Sequence, residues 1–397
     1  MGAGIQMVYD KRPVCTPEAA EALMLRCLAG GSNIIGYYMY HGGSTPRMNN
    51  GYGEFLSDQP MGLPKISYDF QAPLGEFGLE APSFRPLRVI HNFLADFQHI
   101  LAPMQPVMPE NVKTMTPENR DDLRYAARMT PTGEGFLFLV NTQDHDLERH
   151  DQKDLRVKLN LPNETLTIPA EGGFTLPKNT SAILPFNFDM EGALLKYATA
   201  QPLMKIEDKG TAHYFFTVHD GMEPEFVFSK SSVKGKSEFT DIVPGFKSTF
   251  KVTPRGGKAF KVTVLTYADA LNATKVNGKL LITVVPAAGQ VKLLSLGKHR
   301  ADYIVYPSKQ GFKKQTVSVE PVSPKADVDK SVPWRMEVGF TERATDTPQV
   351  NEYFLSVPYT GDVAMAFMDN AMVLDHFWHG MPWRIGLNRF ADKMSAG

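Results

Sequence analysis

The 397-residue sequence predicts a mainly β protein, built from antiparallel sandwich-like sheets and opened by a short α/β stretch. Composition points there first: 32 Gly, 29 Pro and 11% aromatic residues suit strands joined by turns and leave little room for a helical bundle. Helical periodicity is confined to the first hundred residues. Beyond residue 120, short apolar runs recur with turn residues between them. At roughly 150 residues per domain, the length allows two or three domains.

Thr16-Pro17-Glu18 reads as a helix start, with a hydroxyl cap, proline at the first helical position and an acid in the first turn. Ala20, Leu23, Met24, Cys27 and Leu28 then recur at three- and four-residue spacing until Gly30-Gly31 stops the helix. The run Asn33–Tyr40 is almost continuously apolar and aromatic, which predicts a strand buried on both faces of a parallel sheet. After His41-Gly42-Gly43 comes a stretch of about forty residues with little periodicity, a length that marks functional loops. A second helix follows, with Ser83 as cap and Leu87, Ile90, Leu94, Phe97 and Leu101 as its stripe. Pro103, Pro106 and Pro109 form a stiff connector.

The strands expected next are Gly135–Asn141, Leu155–Leu161, Glu164–Ile168, Ser181–Phe186, His213–His219 and Glu225–Ser229. A second set is Ala259–Tyr267, Leu280–Val285 and Gln290–Leu296, with a helical turn at Tyr267–Leu271. Pro307–Pro333, with four prolines and several lysines, reads as a linker or arm. The last set is Trp334–Phe340, Tyr353–Tyr359, Val363–Met368 and Met372–Phe377.

Several function classes are excluded or unsupported. Lys+Arg 42 against Asp+Glu 43 gives a net charge of −1 with no basic block, so nucleic acid and anionic membranes find no electrostatic footprint. No apolar run reaches the roughly 18 residues of a membrane span, and the start lacks the basic and apolar regions of a signal peptide. Cys15 and Cys27 are too few for a disulfide framework or a four-cysteine zinc site. There is no nucleophile elbow, phosphate loop, HExxH or dinucleotide fingerprint, so no cofactor is expected. The pairs His213/His219 and His376/His379 lack an acid or cysteine at ligand spacing, and no metal is expected.

Two regions carry the candidate chemistry. Tyr38, Tyr40 and His41 stand where an α/β strand gives way to its loop, the usual place of a ligand site, although aromatic strand residues also serve as core. Ser67-Tyr68-Asp69-Phe70-Gln71-Ala72-Pro73-Leu74 mixes aromatic faces with a carboxylate, a combination that suits a sugar, while the plainer alternative is a packed loop whose Asp69 bonds backbone donors. Trp378 and Trp383, two of the three tryptophans, lie in the closing segment Asp375–Leu387 and are either glycan contacts or packing residues.

The segments Tyr37-Tyr-Met-Tyr-His-Gly-Gly-Ser-Thr-Pro46 and Ser67-Tyr-Asp-Phe-Gln-Ala-Pro-Leu-Gly-Glu-Phe-Gly78 resemble, in order and spacing, the family-35 glycoside hydrolases, the β-galactosidases. The likeness continues through Leu123–Arg128, Gly135–Asn141 and Tyr197–Ala200, and more weakly through Tyr359–Val363. Ser44, Thr45-Pro46 and Phe70 depart from the family pattern, and Phe70 lacks the hydroxyl common at its position. The resemblance implies the carboxyl-terminal remnant of a (β/α)8 barrel followed by antiparallel β-sandwich and jelly-roll domains. It divides the chain into a barrel end at 1–102, a Pro-rich connector at 103–122, a β-sandwich at 123–235 and a small β-domain at 236–306. A linker or arm at 307–333 and a partial galactose-binding-like jelly roll at 334–397 complete that division.

The same resemblance implies retaining hydrolysis of terminal β-galactosides by two glutamates, with Tyr38, Tyr68 and Phe70 lining the sugar pocket. Both glutamates are expected upstream of Met1, because only Glu18 and Glu21 precede Tyr38 and both sit on the outer helix. The chain alone is therefore expected to be inactive. Its expected partners are a β-galactoside or galactose-containing glycan and a missing N-terminal barrel fragment. The sequence leaves localisation open; a periplasmic or extracellular setting is compatible with an intact enzyme. The alternative is a non-catalytic β-sandwich protein that binds galactose-containing glycans or a partner subunit, with Trp378 and Trp383 as contacts.

Overall fold

The structure is a computed structural model that describes residues 6–48, 51–52, 64–143, 149–284, 292–295, 318–321, 334–337, 354–357, 359–368 and 371–390. Thr16 caps helix α1, Pro17–Ala29: its hydroxyl accepts from the Ala19 N–H at 3.1 Å, and Gly30 closes the helix by donating to the Arg26 carbonyl. The buried side carries Ala22, Leu25 and Ala29 with Met24 and Leu28, whereas Leu23 is 49% exposed. Of the expected stripe, Met24 and Leu28 are buried and Ala20 packs at the core's edge, while Leu23 turns to solvent, because α1 packs through its adjoining side on the strands at 135–141 and 180–190. Helix α2, Phe84–Leu101, buries Leu87, Ile90, Phe97 and Leu101 as the spacing predicts. Ser83, however, makes no side-chain cap; its backbone is already helical, and its carbonyl accepts from the Leu87 N–H.

The segment Asn33–Tyr40 is not a strand. Ile34 is 92% and Tyr38 58% exposed, so burial on both faces is also absent. Its inner tyrosines are held by α2 instead. The Tyr37 hydroxyl lies 2.7 Å from His91 Nε2, and the Tyr40 ring packs against His91 and Phe84.

Two sheets form the body. The first comprises β1 (Gln105–Val107), β2 (Arg124–Met129), β3 (Gly135–Asn141), β4 (Thr180–Met190) and β5 (Ala193–Ala198). The second begins with β6 (Gln201–Asp208) and β7 (Thr211–Val218); β8 (Phe226–Phe228) and β9 (Glu238–Phe239) return to the first sheet, and β10 (Thr249–Val252) and β11 (Phe260–Thr266) to the second. Strand orders are β9-β8-β5-β4-β3-β2-β1 and β6-β7-β11-β10, antiparallel except for the parallel β7–β11 pair. Pro106 lies in the edge strand β1, where a missing donor is tolerated, so the Pro-rich connector contributes to the sheet. Residues 236–266 supply strands to both sheets, so the two sheets interlock across position 235/236.

Every residue of β3 is buried, and Phe136 meets Phe93 of α2 edge-on at 5.3 Å. Between the sheets, Phe226 packs on Phe216 and Phe250, and Phe239 stacks on Phe250 at 4.2 Å. The run expected as one strand at Leu155–Leu161 is two, Gln152–Leu155 and Val157–Asn160, each with its own partner, and Asp154 turns the chain with φ 51°. Farther on, Ser318–Pro321 pairs with Trp334–Glu337, Phe354–Val357 with Trp383–Gly386, and Val363–Met368 with Ala371–Phe377. The rest of the expected linker at 307–333 lies outside the described residues.

Arg128 of β2 is 1% exposed and has only neutral oxygens as partners. Its guanidinium donates to the carbonyls of Leu28 and Ser32 at the end of α1, of Ala102 and Met104 at the end of α2, and to Asn33 Oδ1. A cation placed at two helix C-termini is favoured by both dipoles and satisfies carbonyls that helices leave open.

Behind α1, Glu21 is 3% exposed and accepts a hydrogen bond from the Tyr267 hydroxyl at 2.7 Å. Burial pushes its pKa up to about 8 against that hydrogen bond, with Glu18 adding to the rise. The His219 ring lies over Tyr267 at 3.9 Å, and its Nε2 donates to the Ser181 carbonyl; burial pulls this histidine down to about 4.

Replacing Arg128 with methionine strands several buried carbonyls, each costing about 1–3 kcal/mol. A loss of about 3 kcal/mol or more is expected in urea unfolding, and Arg128→Lys should recover less than half of it, since an ammonium cannot span both helix ends. The folded chain keeps a proton on Glu21 up to about pH 8, the unfolded chain only to about 4.3. Its contribution is therefore complete below about pH 4.3 and lost as pH rises through 8; that of His219 is complete above about 6.5 and lost as pH falls through 4. Glu21→Gln should flatten the decline in denaturation midpoint between pH 5 and 9, and an unchanged decline in the variant contradicts this assignment.

Candidate functional site

The site is built on the turn after Tyr40. Gly42 donates to the Leu74 carbonyl at 2.7 Å, and the short strands Gly43–Ser44 and Ser67–Tyr68 pair antiparallel. A Cβ on Gly42 would stand 2.9 Å from the Glu76 nitrogen and 3.0 Å from the Asp69 carboxylate, so only glycine fits. Asp69 organises the loop from Phe70 to Glu76: one carboxylate oxygen accepts from the Gln71 N–H at 3.0 Å, the other from the Glu76 N–H at 2.6 Å. These bonds hold Phe70 and Gln71 in the left-handed region, φ 47° and 56°. Burial raises the Asp69 pKa, and the backbone donors oppose that rise. Gln71 ties the loop to the chain before α1, donating to the Pro13 carbonyl and accepting from the Cys15 N–H.

The structure brings Tyr38, Tyr68 and Phe70 together. The Tyr38 and Tyr68 hydroxyls are 2.5 Å apart, their rings meet edge-on, and Tyr68 meets Phe70 edge-on at 4.9 Å. Tyr38 and Phe70 face an open groove of about 640 Å³ that is otherwise largely apolar, with Leu23, Met24, Met39 and Leu87 on its walls. Hydroxyls at the rim of an aromatic surface suit an uncharged, polyhydroxylated ligand. His41 stands apart from this set, its Nδ1 turned back onto the Gly42 carbonyl.

Sequence order gives little hint of what fixes this loop. Asp375, 2% exposed on the strand Ala371–Phe377, accepts from the N–H groups of Lys65 and Ser67 at 2.6 Å each and from that of Ile66 at 3.2 Å. Arg12 pairs with Asp362 and covers the Phe377 ring at 4.8 Å; Arg389 donates to Ser44 and to Glu76. Burial raises the Glu76 pKa, opposed by its bonds from Ser44 and Arg389. Trp383 is 6% exposed, stacked on His376 at 5.6 Å and packed with Ile66, Leu374 and Ile385. Trp378 is half-buried, and neither tryptophan joins the tyrosine cluster. Among the described residues no three His, Cys, Asp or Glu side chains gather as a metal site. No described helix is long and apolar enough to cross a membrane.

The described chain is thus a mainly β protein with several antiparallel sheets. It is similar in part to a glycoside hydrolase: 30% identical over 97 residues to Beta-galactosidase 3 of Oryza sativa subsp. japonica, a match that covers 24% of this chain. The match covers 10% of the rice protein's own length. No family model matches the chain.

Substitution Asp375→Asn removes one acceptor oxygen and sets an amide N–H₂ against backbone donors. Amide exchange at Ile66 and Ser67 is expected to quicken at least tenfold, with about 1–3 kcal/mol lost in global stability; unchanged exchange at both positions counts against the anchor.

Proposed function

We propose that the chain supplies one wall of a galactoside-binding site and is the carboxyl-terminal part of a β-galactosidase-like glycoside hydrolase. The observation that carries this reading is the clustering of Tyr38, Tyr68 and Phe70, from segments about thirty residues apart, with Tyr38 and Phe70 on one exposed groove. The partial likeness to a rice β-galactosidase supports the same reading. In it, the chain's first hundred residues are the end of a barrel, and the exposed Val14 and Ile34 belong to the surface that an N-terminal barrel fragment covers. The strands beyond 354 then belong to a galactose-binding-like jelly roll.

Within the intact enzyme the reaction is retaining hydrolysis of a terminal β-galactoside, which needs one carboxylic acid and one carboxylate nucleophile. The acids that flank the tyrosines are committed elsewhere: Asp69 to two backbone amides, Glu76 to Ser44 and Arg389. Neither is free to attack an anomeric carbon, so this chain binds the sugar without cleaving it. Tyr38 and Tyr68 present hydroxyls to the sugar rim, and Phe70 offers a ring face in place of a third hydroxyl.

The purified chain is expected to show no turnover of a chromogenic β-galactoside. Methyl β-galactoside should bind by calorimetry, and Tyr38→Phe with Tyr68→Phe should weaken that binding by about tenfold, the worth of one or two neutral hydrogen bonds. Turnover or binding that survives the double change unaltered overturns the assignment of this groove.

A further inference from the structure

Against Phe70 lies a small cavity lined by Gln6, Ser67, Asp69, Phe70, Gln71, Phe377 and His379, with room for about one water-sized group. Phe70 and Gln71 also line the tyrosine groove, so the two spaces share a wall. Gln6 is 5% exposed, and its Nε2 has no hydrogen-bond partner among the described residues. An amide donor buried without a partner costs about 1–3 kcal/mol, a cost that a ligand atom can remove. Across the same cavity stands the Asp69 carboxylate; each oxygen has accepted one backbone N–H and keeps capacity for another bond.

That pairing defines the chemistry of the occupant. A group that accepts from Gln6 and donates to Asp69 satisfies both, and a hydroxyl does so with one atom. An anion is disfavoured by the Asp69 carboxylate, and no lysine or arginine lines the cavity to offset it. A cation is disfavoured by the amide donor. The two phenylalanine rings give the remaining wall an apolar character that a hydroxymethyl or ring carbon tolerates.

We infer that Gln6 and Asp69 together hold one hydroxyl group of the bound sugar, making the space against Phe70 a specificity subsite. The inference rests on the reading of Tyr38, Tyr68 and Phe70 as a galactoside wall, and it adds a residue, Gln6, that neither spacing nor the loop motifs single out.

Calorimetry on the full chain tests it, using methyl β-galactoside and its 2-, 3-, 4- and 6-deoxy analogues against wild type, Gln6→Leu and Gln6→Met. Both variants are expected to bind the parent sugar about fivefold more weakly, the loss of one neutral hydrogen bond. For one deoxy analogue wild type and variants should bind alike, which identifies the hydroxyl. Equal weakening for all five sugars, or none, overturns the inference while leaving the tyrosine wall standing. A fall in melting temperature with unchanged affinities shows that the cavity holds a structural water only, and also overturns it. If wild type binds none of the sugars, the galactoside wall itself fails and the subsite with it.

Discussion

One buried guanidinium holds the architecture together. Arg128 reaches from the first sheet to the carboxyl ends of both long helices, so α1 and α2 are fixed to the β body through their dipoles. The packing beside it leaves no slack. A side chain at Gly135, the neighbour across the hairpin, would lie 2.3 Å from the Arg128 carbonyl and 2.5 Å from the Phe186 ring. The tyrosine-bearing segment after α1 inherits its position from this arrangement. Asn33 bonds Arg128 directly, and Tyr37 and Tyr40 lean on α2.

Much of the fold is legible from local signals. The Thr16 cap, the stop at Gly30, the strands at 135–141 and 363–368 and the helical turn after Thr266 all arise from short-range chemistry that does not depend on distant partners. Among the strands that periodicity misses, Gln201–Asp208 and Thr249–Val252 carry polar residues and pair with β7 and β11, which offer them edges. Asn33–Tyr40 fails in the opposite direction. Its composition suits a buried strand, yet strand formation needs hydrogen-bonding neighbours, and its far end finds only the isolated bridge between His41 and Leu74 among the described residues.

The candidate site divides in the same way. Tyr38, Tyr68 and Phe70 are visible because two short motifs flank a long aperiodic stretch, and Asp69 organises its own turn. Asp375 and Arg389 carry no local signature, since their partners lie far away in sequence, and Gln6 meets the Asp69 loop only in the folded chain. The tryptophans invite a surface role by density alone, whereas the neighbouring His376 is the ring that Trp383 covers. Burial pulls that histidine down to about 3.

The clasp between Asp375 and Ser67 joins residues 308 positions apart. A polypeptide made from its amino end reaches Tyr68 and Phe70 long before it reaches the carboxylate that fixes their loop. During synthesis the aromatic wall therefore emerges unfinished, and it acquires its final shape only when the strand that carries Asp375 has left the ribosome and folded back. Assembly of the groove is thus set by chain order and follows the synthesis of some three hundred further residues.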